Sequence, residues 1–351
     1  MEVIFIKQSN NEKKIAIGLI GLGYWGEKYL RILRELESID LKFIVDSDEK
    51  RLSLPLEKSI NVYTDVNEAL KNNSVEGCFI VTPPSTHLDI AKICFSNGIN
   101  VFVEKPAMLS LKELKEAISL SRRYKKQLYP GHIYAYNRGL SEVRSIISST
   151  DFGRLRYVIS SRLGLGPIRT DANVVWDLMI HDLTILDYLG LSSPYEVACV
   201  GGSYIQKKIA DIANCSIKYK DGTSAFLVAS WLSPSKVRQT TIVGENKMII
   251  FDDTSQEFPV KIYDNKIVPT ESGSGGSFKP IIRAGDISIH RVSLVEPLKQ
   301  MILSFLSGIN GQSDKSLAEL ARATRVINVL EKITQSMESG GRPAEIKVIN
   351  N

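Results

Sequence analysis

The chain has 351 residues, of which 43% are hydrophobic and 24% charged, and its formal net charge is +5. This is the composition of a globular protein, and the length favours two domains over one. Basic residues are interleaved with acidic ones, and no window holds the roughly 20 apolar residues that a membrane span needs, so neither nucleic acid nor a membrane is an expected partner. Residues 1–14 have only a short apolar patch with a glutamate inside it, and we do not expect them to act as a signal peptide.

The first predicted element is a strand that leads into a glycine-rich turn. Residues 14–20, KIAIGLI, form the near-continuous apolar run of a strand buried on both faces, and GLGYWG follows directly. Gly21, Gly23 and Gly26 have the GxGxxG spacing at the start of a helical pattern. Such glycines allow a tight turn, a close approach to a pyrophosphate and close helix packing, so we predict a dinucleotide site that includes Tyr24 and Trp25. The alternative is that the glycines only turn the chain.

The second strand, LKFIVD, ends at Asp46, twenty residues after Gly26. A carboxylate at this position accepts hydrogen bonds from the ribose 2′-OH of the adenosine and repels a 2′-phosphate. Asp48 and Glu49 make the region more acidic still. The sequence therefore favours NAD over NADP as the cofactor.

The alternation of strands and helices continues through VEGCFIVT (75–82), NVFVEK and QLYPGHIY, with a helix stopped by Gly98 and another from Ser110 to about Lys125. In a doubly wound parallel sheet, ligands lie beyond the carboxyl ends of the strands. The loops after the third strand and after NVFVEK should therefore face the cofactor. Their candidate cofactor contacts are Thr82, Pro83, Pro84, His87, Glu104 and Lys105. His87 could equally cap its own helix or fill a gap.

A helix is predicted over residues 173–190, with Asn173 as its N-cap and Gly190 as its stop. Its polar residues stack on one face that lacks the lysines and glutamates of an ordinary solvated surface. This stripe is either a functional face or a solvated one. It consists of Asp177, His181, Thr184 and Tyr188.

From about residue 150 onward, alternating stretches joined by turn signals such as Asp221–Gly222 predict an antiparallel meander. The free face of this sheet, with Tyr204, Val228 and Ile242 among its possible members, is a candidate homodimer surface. Residues 271–278 are predicted to form a flexible loop, either a lid or a surface segment, with the surface segment favoured. Two amphipathic helices near 293–309 and 316–337 are expected to pack back on the body.

The cysteines and histidines are few. Four scattered cysteines include no CxxC pair, and with four histidines in the whole chain no metal site is expected. Free thiols suit a reducing compartment, so we expect a cytoplasmic protein.

Four motifs in this order, GLGYWG, VTPPSTH, VFVEKPA and WDLMIHD, resemble the glucose–fructose oxidoreductase / inositol 2-dehydrogenase / MocA family. The resemblance implies an α/β fold: an NAD-binding Rossmann domain over 1–135, then a substrate-binding α+β domain over 136–351 with a large open, mainly antiparallel sheet. It also implies NAD(P)-dependent redox chemistry on a sugar, cyclitol or related polyol. The EKP motif of the family falls on Glu104, Lys105 and Pro106, and its Asp-x-x-x-His pair on Asp177 and His181.

A finer resemblance is to the members that oxidise C3 of UDP-N-acetylglucosamine derivatives. It implies that Arg162, Arg169 and Asn173 contact the substrate. Forked guanidinium groups bind phosphate through two hydrogen bonds, which suits a sugar diphosphate. Ordinary surface arginines are the alternative.

These residue types fit hydride transfer at a carbinol carbon. Histidine titrates near neutrality and can carry the proton, which makes His181 the expected acid/base. Lys105 is expected to stabilise the developing alkoxide and anchor the substrate, and Asp177 to orient the imidazole. Lys105 and His181 could exchange roles, since a desolvated lysine can lose its proton.

The predicted function is an NAD-dependent dehydrogenase acting on a secondary alcohol or ketone of a sugar, with a nucleotide-activated sugar favoured. A free-polyol or free-sugar dehydrogenase, a deoxysugar ketoreductase and a non-catalytic NAD-binding regulator are the alternatives. A homodimer or homotetramer through the C-terminal sheet is expected.

Overall fold

A computed structural model of the chain describes residues 14–53, 55–191, 193–268, 281–293, 295–312, 315–347 and 349. The chain forms two compact units: the first joins Glu2–Tyr136 to Glu296–Asn328, and the second joins Asn137–Val295 to Val329–Asn350. The sequence assigned everything after residue 135 to one domain, whereas 296–328 packs with the first unit. The predicted loop at 271–278 lies outside the described residues.

A six-stranded parallel sheet forms the centre of the first unit. Its spatial order is β3-β2-β1-β4-β5-β6. The chain builds one half of the sheet outward from β1 through β2 to β3, and then the other half outward from β4 through β5 to β6. The carboxyl ends of all six strands lie on one edge, and the switch point falls between β1 and β4. The strands are β1 (Ile15–Ile20), β2 (Ile39–Val45), β3 (Asn61–Tyr63), β4 (Gly77–Ile80), β5 (Asn100–Glu104) and β6 (Leu128–Gly131).

The helices of this unit begin where the sequence predicts. α1 starts immediately after Gly23, and Ser110 caps α4 by accepting a hydrogen bond from the backbone N–H of Glu113 (3.2 Å). A predicted α3 stop at Gly98 agrees with its φ of 70°, a left-handed value that favours glycine. The helices that alternate with these strands are α1 (Tyr24–Glu35), α2 (Val66–Asn72), α3 (His87–Ser96) and α4 (Leu111–Tyr124).

The second unit contains a nine-stranded mixed sheet with the order β16-β13-β12-β11-β7-β10-β9-β8-β17. It is mainly antiparallel, as predicted, but it is not a simple meander, because β7 lies between β10 and β11 and runs parallel to β10. Its elements are α5 (Arg138–Ile147), β7 (Leu155–Leu165), α6 (Ile180–Tyr188), β8 (Pro194–Gly202), β9 (Ile212–Tyr219), β10 (Ser224–Ser230), β11 (Leu232–Gly244), β12 (Met248–Asp252), β13 (Val260–Tyr263), β16 (Ile287–His290) and β17 (Ala344–Glu345), with a separate hairpin of β14 (Lys266–Val268) and β15 (Ile281–Arg283).

One face of this sheet is open within the second unit. Phe226 on β10 and Ile159 on β7 are register partners and are 45% and 42% exposed. The prediction for Ile242 was wrong: it is fully buried and pairs with Val158, because successive residues of a strand point to opposite faces. Val228 lies on the open face and is half-buried, and Tyr204 is exposed in the loop after β8.

The free-thiol prediction was wrong for two of the four cysteines. Cys199 on β8 and Cys215 on β9 are register partners with Cα atoms 4.1 Å apart, and they form a disulfide. Cys78 and Cys94 are free and buried. A cytoplasmic location stays a prediction, without the argument from free thiols.

Two helices precede β17, α7 (Pro297–Ile309) and α8 (Ser316–Glu338), and the boundary between the units falls within α8, after Asn328. In the first unit, Phe305 of α7 packs edge-on against Phe79 and Phe102 of the parallel sheet. Among the described residues, no helix combines the length and apolar character of a membrane span.

Candidate active site

The glycine turn has the geometry that a dinucleotide requires. Gly21 has a φ of 100°, where other residues are strained, and a Cβ on Gly26 would lie 2.2 Å from the backbone oxygen of Gly21. Gly23 precedes α1, whose N-terminal N–H groups point toward the turn. Next to them, Tyr24 is 75% exposed and Trp25 is half-buried. A backbone this close can approach a pyrophosphate, so the residues fit the cofactor.

Asp46 fixes the end of β2 to the glycine turn. Its carboxylate is 6% exposed and accepts hydrogen bonds from the backbone N–H groups of Leu22 (2.6 Å) and Asp48 (2.9 Å). The guanidinium of Arg51 lies 3.5 Å from the same carboxylate. The acid is therefore held at the strand end where the ribose of NAD is expected.

His87 occupies a place that the sequence left open. It is fully buried; Nε2 lies 2.9 Å from the carbonyl oxygen of Thr82, and Nδ1 lies 3.1 Å from that of Pro106 and 3.2 Å from that of Ala107. It therefore joins the two loops at the sheet edge, and full burial corrects the expectation of a direct cofactor contact. Pro84 is also buried, whereas Pro83 is exposed.

Glu104 ends β5 and holds the backbone of the lysine that follows it. Its carboxylate accepts hydrogen bonds from the hydroxyl of Tyr29 (2.6 Å) and from the backbone N–H of Lys105 (2.8 Å). Burial raises the pKa of Glu104, while the bond from Tyr29 and the charge of Lys105 act in the opposite direction. Glu104 thus orients the loop and lies beneath it, and Lys105 is half-buried at the edge of the sheet. No local pattern indicates Tyr29, 75 residues earlier in the chain, as a partner of Glu104.

In the second unit, the predicted helix starts with a π-helical turn, Val175–Met179, and continues as α6. The side chain of Asn173 accepts hydrogen bonds from the backbone N–H groups of Val175 and Trp176, as its predicted N-cap role requires, and so faces the helix. Gly190 has a φ of 100° at the other end. π-Helical turns are frequent at functional sites.

Asp177 lies in this π-helical turn and is held from two sides. It accepts a hydrogen bond from the indole N–H of Trp231 (3.1 Å), and its other oxygen lies 3.5 Å from Arg169. His181, four residues later on the same helix, is half-buried. The carboxylate is thus fixed one turn before the imidazole. Trp231 was missed because it lies between β10 and β11, 54 residues after Asp177, and only the fold brings the two side chains together.

The remaining members of the polar stripe are structural. Thr184 is 2% exposed and its hydroxyl donates to the carbonyl oxygen of Ile180 (2.8 Å), so it does not line a cleft in the second unit. Tyr188 is 8% exposed, and Arg144 lies over its ring at 5.1 Å. The stripe therefore reduces to Asp177 and His181.

Arg162 does not lie in an exposed phosphate-binding position. It is 4% exposed and pairs with Asp182, which is 2% exposed and lies next to His181; three nitrogen–oxygen contacts measure 3.1 Å. Arg169, by contrast, has a side chain 31% exposed and pairs with Asp171. The hydrogen bonds that Arg169 donates to Asp171, and then the charge of Asp177, raise the pKa of Arg169, which stays cationic.

The structure brings the predicted residues together in two groups. The first unit gathers the glycine turn, Asp46, the Thr82 loop and Lys105 at one sheet edge, and the second gathers Asp177, His181 and Arg169 at the start of α6. A meeting of Lys105 with His181 stays a prediction. Among the described residues, no cluster of His, Cys, Asp or Glu could hold a metal.

Comparison with known proteins gives matches over both units. Residues 15–132 match the GFO_IDH_MocA oxidoreductase family with its NAD-binding Rossmann fold, and residues 140–250 match the GFO/IDH/MocA C-terminal domain. UDP-N-acetylglucosamine 3-dehydrogenase of Acidithiobacillus ferrooxidans is 28% identical over 240 residues, which cover 67% of this chain and 73% of that protein. Inositol 2-dehydrogenase 2 of Paenarthrobacter aurescens is 24% identical over 220 residues, covering 60% and 66%.

Solved structures agree in fold. The structure of GnnA, the UDP-N-acetylglucosamine 3-dehydrogenase from A. ferrooxidans, covers 93% of this chain and 99% of its own with a TM-score of 0.76 at 24% identity. GenD2 from gentamicin A biosynthesis, solved in complex with NAD, covers 98% and 100% with a TM-score of 0.79 at 19% identity. The chain therefore belongs to the GFO/IDH/MocA family of NAD-binding oxidoreductases.

Proposed function

We propose that this oxidoreductase moves a hydride between NAD and C3 of a nucleotide-activated sugar. The observation that carries the proposal is the anchoring of Asp177 by Trp231 and Arg169, one turn before His181. A carboxylate held in this way can orient an imidazole and stabilise its protonated form. The relative named as a UDP-N-acetylglucosamine 3-dehydrogenase supports the choice of sugar.

The glycine turn and Asp46 would hold NAD, which would supply the hydride-transfer chemistry, and other residues of the chain would move the proton. His181 takes the proton from the hydroxyl when the alcohol is oxidised and returns it to the ketone in the reverse direction. Glu104 holds the backbone of Lys105 by accepting a hydrogen bond from its N–H. The ammonium of Lys105 stabilises negative charge on the substrate oxygen. The two residues can also exchange these roles, with Lys105 as the base.

Arg169 is the better candidate for a phosphate contact. Its side chain is partly exposed, lies in the loop before α6 and contacts Asp177, whereas Arg162 is paired with Asp182 in the interior. A guanidinium that already has carboxylate partners still offers further N–H donors to a phosphate. We therefore assign the diphosphate to Arg169, and a structural role to Arg162.

The experiment is a comparison of three substrates with NAD⁺: UDP-N-acetylglucosamine, free N-acetylglucosamine and myo-inositol. We expect NADH formation with a kcat/KM that is highest for the nucleotide sugar. A higher kcat/KM for myo-inositol would instead support a polyol dehydrogenase, in line with the inositol 2-dehydrogenase relative. NAD binding without NADH formation from any sugar would support a non-catalytic regulator.

We also propose that the open face of the nine-stranded sheet is a homodimer surface, alone or within a tetramer. Phe226, Ile159 and Tyr157 on neighbouring strands are 37–45% exposed and form an apolar patch there. Ile159→Lys should shift the mass measured by light scattering to that of a monomer, with Leu317→Lys, at a 71% exposed leucine on α8 and outside this sheet, as the charge control. An unchanged mass in Ile159→Lys contradicts this surface.

A further inference from the structure

The loop between β8 and β9, residues 203–211, presents an aromatic ring and two cations. Tyr204 is 75% exposed and Ile205 is 57% exposed, and Lys207 and Lys208 are exposed as well. Within the described residues, no carboxylate lies at ion-pair distance from either lysine. An exposed aromatic ring beside two exposed cations is what an aromatic anion would bind.

The loop is held in one shape rather than left free. The carboxylate of Asp211, which is fully buried, accepts hydrogen bonds from the backbone N–H groups of Tyr204 and Ile205. The ring of Tyr204 packs over Gly202, where a Cβ would lie 2.6 Å from it. Lys208 has a φ of 70°, which costs energy in a residue other than glycine and is often found at functional sites.

The loop is also tied to the segments around the candidate catalytic helix. The side-chain amide of Gln206 donates to the carbonyl oxygen of Arg169 (2.9 Å), and the backbone N–H of Val174 donates to the carbonyl oxygen of Ala210 (3.0 Å). The backbone N–H of Trp231, whose indole holds Asp177, donates to the carbonyl oxygen of Asp211 (3.0 Å). The loop therefore borders the segment that leads into α6 and contains Arg169 and Asp177.

We propose that this loop is the binding site for the nucleoside diphosphate half of the substrate. The base stacks on the ring of Tyr204, and the diphosphate is neutralised by Lys207, Lys208 and Arg169. Stacking of a base on an aromatic ring and contacts between phosphates and basic side chains are the two interactions that bind such groups in general. This inference rests on the proposed function, since it places the nucleotide of that substrate.

The test measures binding of UDP, uridine and inorganic pyrophosphate by titration calorimetry in wild type, Tyr204→Ala and a Lys207→Ala, Lys208→Ala double variant. Tyr204→Ala should weaken UDP and uridine by about tenfold or more and leave pyrophosphate unchanged. The double lysine variant should weaken UDP and pyrophosphate and flatten the dependence of UDP affinity on salt. Tyr204→Phe should bind UDP like the wild type.

Tyr195→Ala is the matched control, because Tyr195 is an exposed tyrosine on β8 outside the loop, and its UDP affinity should not change. Unchanged melting temperatures and NAD affinities show that the variants are folded. If wild type turns over UDP-N-acetylglucosamine but both loop variants bind UDP normally, the loop proposal is wrong and the proposed function stands. If wild type binds no UDP and oxidises only a free sugar or polyol, both fail.

Discussion

Substitutions of Arg162 and Asp182, which form a buried ion pair, test whether Arg162 stabilises the fold or binds the substrate. Both residues are at most 4% exposed, and Asp182 also accepts a hydrogen bond from Ser160 (2.9 Å). Asp182→Leu leaves a buried guanidinium without its carboxylate, which costs about 3–5 kcal/mol. In a unit of roughly 150–250 residues each kcal/mol lowers the melting temperature by about 2–4 °C, so a loss of about 6–20 °C is expected.

The assay is thermal unfolding of Arg162→Met, Asp182→Leu and the double variant, together with the KM for UDP-N-acetylglucosamine. The double variant replaces the ion pair with apolar side chains of similar size, so it should recover most of the stability that either single variant loses. Ser160 keeps its bond to Thr240 (3.0 Å) and is not left without a partner. An Arg162→Met variant with an unchanged melting temperature and a KM raised tenfold would show that Arg162 binds substrate.

Four further substitutions test the first unit. Gly26→Ala should prevent stable folding, because its Cβ would lie 2.2 Å from a backbone oxygen. Gly23→Ala, whose Cβ would have no atom closer than 3.5 Å, should keep the wild-type melting temperature and lose NAD affinity in calorimetry. Equal melting temperatures for the two variants would contradict this geometry. Burial pushes the pKa of Glu319 up, but the hydrogen bond from His132 and the charge of a nearby arginine lower it overall. Because the folded-state pKa lies below the unfolded value of about 4.3, the charged carboxylate stabilises the protein above that pH, and this stabilisation is lost on acidification. Glu319→Gln should therefore flatten the fall in melting temperature below that pH. Curves of melting temperature against pH that run parallel for the variant and the wild type would refute this. His87→Phe keeps the ring volume but loses the bonds to both loops, which should lower stability by about 1–3 kcal/mol in urea unfolding; an unchanged midpoint would show that the bonds contribute nothing.

Local patterns carried the predictions that the structure confirms. Strand β1, the GxGxxG turn, Asp46 at the end of β2 and the caps of α4 follow from apolar runs, backbone freedom and capping chemistry within a few residues of each other. The Asn173 cap and the Gly190 stop of the helix around His181 are of the same kind. Such features depend on short-range physics, which a single sequence displays directly.

The errors concern partners that lie far apart in the chain. Arg162 on β7 has the chemistry of a phosphate ligand, and only the fold shows that Asp182 has entered the interior to meet it. An aspartate on the apolar side of a helix was the available signal, since a buried carboxylate needs a cation. The insertion of β7 beside β10 and the pairing of Cys199 with Cys215 likewise depend on the strand order, which no local pattern fixes.

Local patterns also could not predict which unit each closing helix joins. Both closing helices were predicted from their amphipathic pattern, but the pattern does not say which surface an apolar face will cover. Phe305 of α7 packs against Phe79 and Phe102, so this helix completes the core of the first unit. In the polar stripe, the hydroxyl of Thr184 bonds to its own helix, and a functional role for Asp177 and His181 stays a prediction.

In the proposed mechanism, His181 carries the proton in the oxidation of a sugar hydroxyl by NAD. The most direct test is the turnover of His181→Asn with NAD⁺ and UDP-N-acetylglucosamine, alongside the Kd for NADH. We predict a kcat lower by about 10²–10⁴-fold with the NADH affinity unchanged, since general acid–base catalysis contributes a factor of that size. A kcat equal to that of the wild type would contradict the account.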